Sequence, residues 1–161
     1  MTDTVAVRMQ DSLVPAVLNA IINGGIAWAG FKAAEAVPLT LDLISAQQHT
    51  VWGQGVTLAF ALGVILTLVT SKVFARHVAK SHPALAKRVQ RPLFPFVAGV
   101  ALGNGMALFG WFVALAVIWQ RVVGTVEVSP VTASVLVGLL AGVITIAVEM
   151  RTKRALLRSP A

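Results

Sequence analysis

Few polar side chains interrupt the long apolar runs of this sequence, and those few are its candidates for chemistry. Asn19 and Asn23 lie one helical turn apart in the first run, and Asn104 lies in the third. An amide exposed to an apolar solvent is costly, so each asparagine should hydrogen-bond a neighbouring helix or line a path for a substrate or ion. The spacing of the first two predicts one shared face.

Glu149 is the only acidic residue within an apolar run. A carboxylate in such a place is a functional candidate, and it could carry a proton with Thr145 and Thr70 as candidate neighbours. The alternative is structural, because basic residues follow within about one helical turn and could satisfy the carboxylate. Both interpretations are open from the sequence.

The sequence gives little support for catalysis or for metal or cofactor binding by other residues. The chain has no cysteine, which excludes disulfides, iron–sulfur clusters and thiol catalysis. His49, His77 and His82 lie outside the apolar runs and lack metal-ligand or bis-histidine haem spacing. The sequence also has no phosphate loop, nucleophile elbow or HExxH motif. We therefore expect no cofactor, no metal and no enzymatic activity.

The elements that carry these residues follow from composition. The 161 residues are 57% hydrophobic and 12% charged, against about 25% charged in a soluble domain. Four runs, roughly 13–31, 55–74, 94–119 and 131–150, are long enough to cross a hydrocarbon core of about 30 Å. Only helices satisfy the backbone there without water. The sequence predicts an all-α membrane protein, with residues 1–161 forming a single four-helix transmembrane domain.

The positions of the charges predict an orientation. Net charge is +7, yet the loops after the first and third runs hold only Lys32 and Arg121 as basic residues. This asymmetry predicts cytoplasmic termini in a cell inner (plasma) membrane, and the composition is typical of bacteria. We expect the other basic side chains to contact anionic lipid headgroups rather than nucleic acid. The predicted lipid contacts are Arg76, Lys80, Lys87, Arg88, Arg91, Arg151, Lys153 and Arg154.

The two halves of the chain look like copies of one helical hairpin, offset by about 80 residues. An Asn-Gly pair at Asn23 recurs at Asn104, and LGVI at 62–65 recurs as AGVI at 141–144. A unit of two spans enters the membrane the same way in each copy, which predicts a parallel repeat. The alternative is chance similarity between apolar segments. The predicted units are about 13–91 and 92–161.

Small residues mark helix faces on which another backbone could approach closely. At 100° per residue, each predicted helix gathers such residues on one side. Asn104 lies about a third of a turn from the glycine face of its helix, so we expect it to bond a different partner. The faces predict a tight bundle, or one that also uses a face for self-association. The predicted packing glycines are Gly63, Gly99, Gly103, Gly110, Gly138 and Gly142.

Two functions fit these features. The first is a small transporter or channel, acting as a homo-oligomer, with a polar pathway along the inward faces. The alternative is a non-catalytic membrane subunit or scaffold that docks another membrane protein through glycine-rich faces. Polar residues recurring on inward faces favour the first. Asparagine and glutamate side chains fully paired in a dry bundle without an open cleft would favour the second.

Overall fold

Four long helices make up most of the computed structural model, which describes residues 7–40, 49–82 and 94–158. Each helix is long and apolar enough to cross a membrane, which confirms the predicted helical architecture. A 3-10 helix, Met9–Ser12, precedes the first, and two short strands, β1 and β2, lie in the connections. The helices are α1 (Leu13–Phe31), α2 (Val51–Ser81), α3 (Phe94–Val122) and α4 (Pro130–Arg158); the strands are β1 (Val37–Pro38) and β2 (Glu127–Val128).

Local sequence signals set several helix ends. The Thr50 side chain accepts a hydrogen bond from the Gly53 amide at 3.0 Å, which caps the start of α2. The Ser129 hydroxyl accepts one from the Thr132 amide at 3.2 Å at the start of α4. Gly124, just beyond α3, has a φ of 78°, a conformation that glycine adopts without steric cost. The chain can therefore leave α3 and enter β2.

Two helices extend beyond the apolar runs. The predicted apolar runs end at about residues 74 and 150, whereas the structure continues α2 as helix to Ser81 and α4 to Arg158. At 1.5 Å per residue these helices are about 45 Å long, against about 30 Å for a hydrocarbon core. Phe74, Val78 and Leu156 pack together between the extended ends. This apolar contact explains why the basic segments stay helical.

The helices pack in a definite order. α1 packs along α4, α3 packs along α2, and α2 and α4 pack against each other. Ala59 and Leu62 of α2 form a buried cluster with Ala141, Ile144 and Val148 of α4. The central pair is therefore α2 and α4, and α1 and α3 flank it.

The segments that follow α1 and α3 meet at one end of the bundle, which we call the strand end. β1 and β2 pair antiparallel, with Val37 opposite Val128, and the Leu39 amide extends the pairing to the Val126 carbonyl at 2.8 Å. Phe31 packs below this pair in a buried cluster. The opposite end, which carries Ser81 and Arg158, is called the basic end.

Glycines allow the closest helix approaches. A Cβ on Gly63 would lie 2.7 Å from the Gly105 Cα, and one on Gly138 would lie 2.8 Å from the Ala20 backbone oxygen. A Cβ on Gly142 would lie 3.4 Å from the Ala16 backbone oxygen. The flanking helices α1 and α3 thus each approach a central helix at a glycine.

Three of the glycines predicted to pack, all on α3, contact no other helix within the described residues. Gly99, Gly103 and Gly110 are exposed, and among the described residues nothing lies within 4 Å of a Cβ placed on them. Gly105 supplies the contact with α2 instead. The physical reason is that glycine spacing identifies a helix face but not its neighbour, while the buried amide of Asn104 requires a polar partner and faces α2.

Candidate functional site

Three polar clusters lie between the helices, and the first joins α1 to α4. Asn23 donates its amide hydrogen to the Asn19 side-chain oxygen at 2.7 Å, and Asn19 donates to the Thr145 hydroxyl at 2.7 Å. Thr145 donates in turn to the Ala141 carbonyl at 2.7 Å. We call Asn19, Asn23 and Thr145 the amide cluster. Its hydrogen bonds form one chain that begins on α1 and ends in the backbone of α4.

The second cluster joins three helices. Asn104 of α3 donates to the Thr67 hydroxyl of α2 at 2.9 Å and to the Thr152 hydroxyl of α4 at 3.4 Å. Thr67 donates to the Gly63 carbonyl at 2.6 Å. We call Asn104, Thr67 and Thr152 the three-helix cluster; all three are buried. The three predicted asparagines therefore do not meet at one point.

The third cluster ties the start of α1 to the basic end of α4. Ser12 donates its hydroxyl hydrogen to the Glu149 carboxylate at 2.8 Å. Lys153 donates to the same carboxylate oxygen at 2.8 Å and to the Ser12 hydroxyl at 3.1 Å. We call Ser12, Glu149 and Lys153 the carboxylate cluster. Lys153 thus pairs with Glu149. The structural interpretation of Glu149 predicted such a pairing with a following basic residue.

The carboxylate cluster has one geometry that could do chemistry. The Ser12 hydroxyl lies 3.1 Å from the Lys153 nitrogen, the distance of a nucleophile from its base, although only a neutral amine could accept the proton. Ser12, however, is completely buried and its hydroxyl hydrogen points to Glu149. A substrate carbonyl could not reach its oxygen without displacing α1 or α4. The arrangement is that of an anchor between two helices.

The other predicted polar residue, Thr70, is buried on α2. In the described part of the chain no hydrogen bond joins it to Glu149. Sequence reasoning left out Ser12, Thr67 and Thr152 as site residues. Thr67 follows Gly63 by one turn on the same face, so a signal for it existed. Ser12 is 137 positions from Glu149 in the chain, and no local pattern links them.

Two grooves on the surface of the bundle are apolar. One of about 550 Å³ lies between α1 and α4 and is lined by residues that include Ala20, Gly24 and Trp28. The other, about 460 Å³, lies between α2 and α3 beside Phe60 and Met106. Among the described residues that line them, none belongs to the three polar clusters. The clusters lie inside helix contacts rather than along either groove.

Three buried polar atoms at the strand end have no hydrogen-bond partner among the described residues. They are the indole nitrogens of Trp52 and Trp119 and the side-chain oxygen of Gln120. The two indole rings lie 6.1 Å apart and are tilted by 53°. The rings pack the start of α2 against the last turn of α3. The sequence analysis placed no site there.

The predicted lipid contacts fall into three groups. Arg76, Lys80, Arg151 and Arg154 are exposed at the basic end. Lys153 is turned inward to Glu149, with 12% of its side chain exposed. The remaining predicted contacts, Lys87, Arg88 and Arg91, lie outside the described residues.

Comparison with protein-family models, with curated proteins and with solved structures finds no match to this chain. The helix contacts and polar clusters described above are therefore the basis on which a function can be proposed.

Proposed function

We propose that this protein is a multi-pass membrane protein that serves as a non-catalytic subunit or scaffold, docking another membrane protein through the outward face of α3. The observation that carries this proposal is that Asn19, Asn23 and Glu149 all have hydrogen-bond partners within the bundle. A transporter or channel would need such groups free to meet a solute. Here they hydrogen-bond to each other and to neighbouring helices, and the described grooves are apolar.

The outward face of α3 supports the docking role. Gly99, Gly103, Met106 and Gly110 recur at intervals of four, three and four residues, which places them on one side of a helix. That side is opposite to the one on which Gly105 meets α2. Small residues in this spacing let a second membrane helix approach closely. Nothing in the described chain occupies the face, so a helix of another protein could.

The contact pattern supports the tandem repeat as part of this proposal. Under the predicted correspondence, α1 matches α3 and α2 matches α4. The Asn19–Thr145 bond then joins α1 to α4 as the Asn104–Thr67 bond joins α3 to α2, although the predicted counterpart of Asn104 is Asn23 rather than Asn19. The pairing of β1 with β2 joins the two corresponding connections. We propose two hairpin units that interlock, each flanking helix packing on the central helix of the other unit.

Cysteine crosslinking tests the docking role, because the natural chain contains no cysteine. We would introduce Gly103→Cys alone and oxidise the protein in its own membrane. The expected product is a disulfide or short-linker adduct to a different membrane protein, in stoichiometric yield. The matched control is Val143→Cys, which is 66% exposed on α4 and should form no adduct.

The other outcomes separate the competing functions. A product of twice the chain mass at Gly103→Cys would indicate a homo-oligomer and would contradict the subunit role. Equal reactivity at Gly103→Cys and Val143→Cys would mean that the α3 face contacts only lipid. Native mass spectrometry of the gently extracted protein would then report any bound solute, which would return support to the transporter.

A further inference from the structure

At the basic end, exposed basic side chains form two rows, one along the extended part of α2 and one along the extended part of α4. On α2 the row is Lys72, Arg76 and Lys80, spaced four residues apart; all three side chains are exposed. A four-residue spacing keeps them on one face of a helix. That face is opposite Phe74 and Val78, which pack toward α4. We call these cations the α2 row.

A matching row lies on α4. Arg151, Arg154 and Arg158 are spaced three and four residues apart, and all three are exposed. Between them, Thr152 and Leu156 face the interior and Lys153 turns to Glu149. We call Arg151, Arg154 and Arg158 the α4 row. Lys153 therefore does not belong to it, although the sequence analysis grouped it with these residues.

Nothing of opposite sign offsets the rows along the same helices. The sequence has no acidic residue in 70–82 or 150–158, and Glu149 is buried and paired. Asp11, in the 3-10 helix, is the exposed acidic residue described near this end. The rows thus present concentrated positive charge on two sides of the bundle.

The height of the rows matches a particular anionic layer. Each row starts near the end of an apolar run, at Lys72 within the last turn of the run 55–74 and at Arg151 directly after the run 131–150. From the first to the third cation, at 1.5 Å per residue, the α2 row extends about 12 Å along its helix and the α4 row about 10.5 Å. Headgroup layers add about 5–8 Å on each side of a hydrocarbon core, and the charge of anionic lipids extends about a Debye length further.

We infer that the α2 row and the α4 row bind the phosphates of anionic phospholipids, forming a collar around the basic end. Cations held on rigid helices keep their positions when lipids exchange, because Phe74, Val78 and Leu156 fix the two helices together. This inference rests on the proposed membrane insertion, with the basic end at the cytoplasmic surface, where anionic lipid is enriched.

The test uses the full chain in vesicles of phosphatidylcholine and phosphatidylglycerol. A fluorescent probe on Ser81→Cys, next to Lys80, is quenched by brominated phosphatidylglycerol or, separately, by brominated phosphatidylcholine. We expect the anionic lipid to quench several-fold more effectively. Replacing Lys72, Arg76 and Lys80 with glutamine should bring the ratio of quenching by the two lipids close to one, since each charge near an anionic surface contributes measurably.

Controls separate the rows from charge in general. Arg121→Gln, near the strand end, should leave the preference unchanged. If the triple variant does not insert, raising salt on the unaltered chain replaces it, because the Debye length falls from about 10 Å at 0.1 M to about 3 Å at 1 M. The preference should then fall steeply.

Three results would overturn the inference. One is equal quenching by both lipids in a fully inserted protein, and another is an undiminished preference in the triple variant at all salt concentrations. The third is tight, row-dependent binding of a labelled single-stranded oligonucleotide to protein in purely neutral vesicles, which would assign the rows to nucleic acid. Release of the protein by alkaline carbonate would contradict the proposed membrane insertion instead, before any lipid comparison.

Discussion

The α1–α4 contact and the α2–α3 contact use the same two devices with different surroundings. In each, a glycine lets two helices approach closely, and an asparagine of the flanking helix bonds a threonine of the central one. Asn104 lies inside the three-helix cluster and is 4% exposed. The amide cluster involves two helices only, and Asn19 is half-buried.

The difference shows where each contact draws its stability. The α2–α3 contact depends on a tight glycine crossing and one amide that three helices share. The α1–α4 contact adds the carboxylate cluster, in which Glu149 and Lys153 are both nearly buried. A charged group that loses its partner in such surroundings costs more than a neutral one. The two contacts should therefore fail in response to different substitutions.

Gly63→Leu should have the largest effect and should break the α2–α3 contact. Its Cβ would lie 2.7 Å from the Gly105 Cα, and backbone cannot yield as a flexible side chain can. We expect a loss of about 3 kcal/mol or more in the free energy of unfolding, or failure to fold. Unfolding in mixed detergent micelles, followed by circular dichroism, measures it.

The control for that substitution is Gly99→Leu on the exposed side of α3. It adds the same side chain in a helix of similar length, and it should change the free energy of unfolding by less than about 0.5 kcal/mol. Equal destabilisation by both variants would contradict the assignment of Gly63, rather than Gly99, to a helix contact.

Glu149→Ala should break the α1–α4 contact at its basic end. Lys153 and Ser12 would lose the carboxylate that both contact, so we expect a loss of about 2 kcal/mol. The effect should be local as well, with faster hydrogen exchange at the amides of Met9–Ser12. Exposed Arg151 provides a control, since Arg151→Gln should leave that exchange unchanged. Unaltered exchange in Glu149→Ala would show that the carboxylate does not anchor the 3-10 helix.

Much of this fold could be predicted from the sequence, because crossing a hydrocarbon core imposes a length and an apolar composition that few other structures need. The helix ends were less predictable. Lys72 and Arg151 signal the end of an apolar run, yet both helices continue where Phe74 and Leu156 pack together. The hydropathy of a segment indicates whether lipid or water surrounds it, but it does not indicate the residue at which the helix ends.

The site was predictable only in part, for a related reason. Where lipid surrounds the protein, apolarity does not distinguish an inward face from an outward one. The outward position of Gly103 and the inward position of Gly105 depend on which neighbour α3 meets. The bond from Ser12 to Glu149 depends on a contact between the two ends of the chain. Both are properties of the assembled bundle rather than of any local pattern.

Asn104→Leu sharpens the comparison of the two amides. Leucine has a similar size but cannot donate to Thr67 or Thr152, so the three-helix cluster would lose the bonds that join α3 to it. We expect a loss of about 1.5 kcal/mol, at the upper end for side-chain hydrogen bonds between membrane helices. Unfolding in mixed micelles should show it, and Thr67→Val in the Asn104→Leu background should add little.

Asn23→Leu should have the smallest effect and should separate structure from transport. Among the described residues, Asn23 bonds to Asn19 alone, at its side-chain and backbone oxygens. The bond from Asn19 to Thr145 should survive the removal of the Asn23 amide. We expect a loss of about 0.6 kcal/mol, the average for such bonds. The crosslink from Gly103→Cys to a partner protein should persist in this background, because Asn23 and the α3 face lie on different helices. A stable, inserted variant that abolishes a measured solute flux would instead place Asn23 in a pathway and contradict the subunit role.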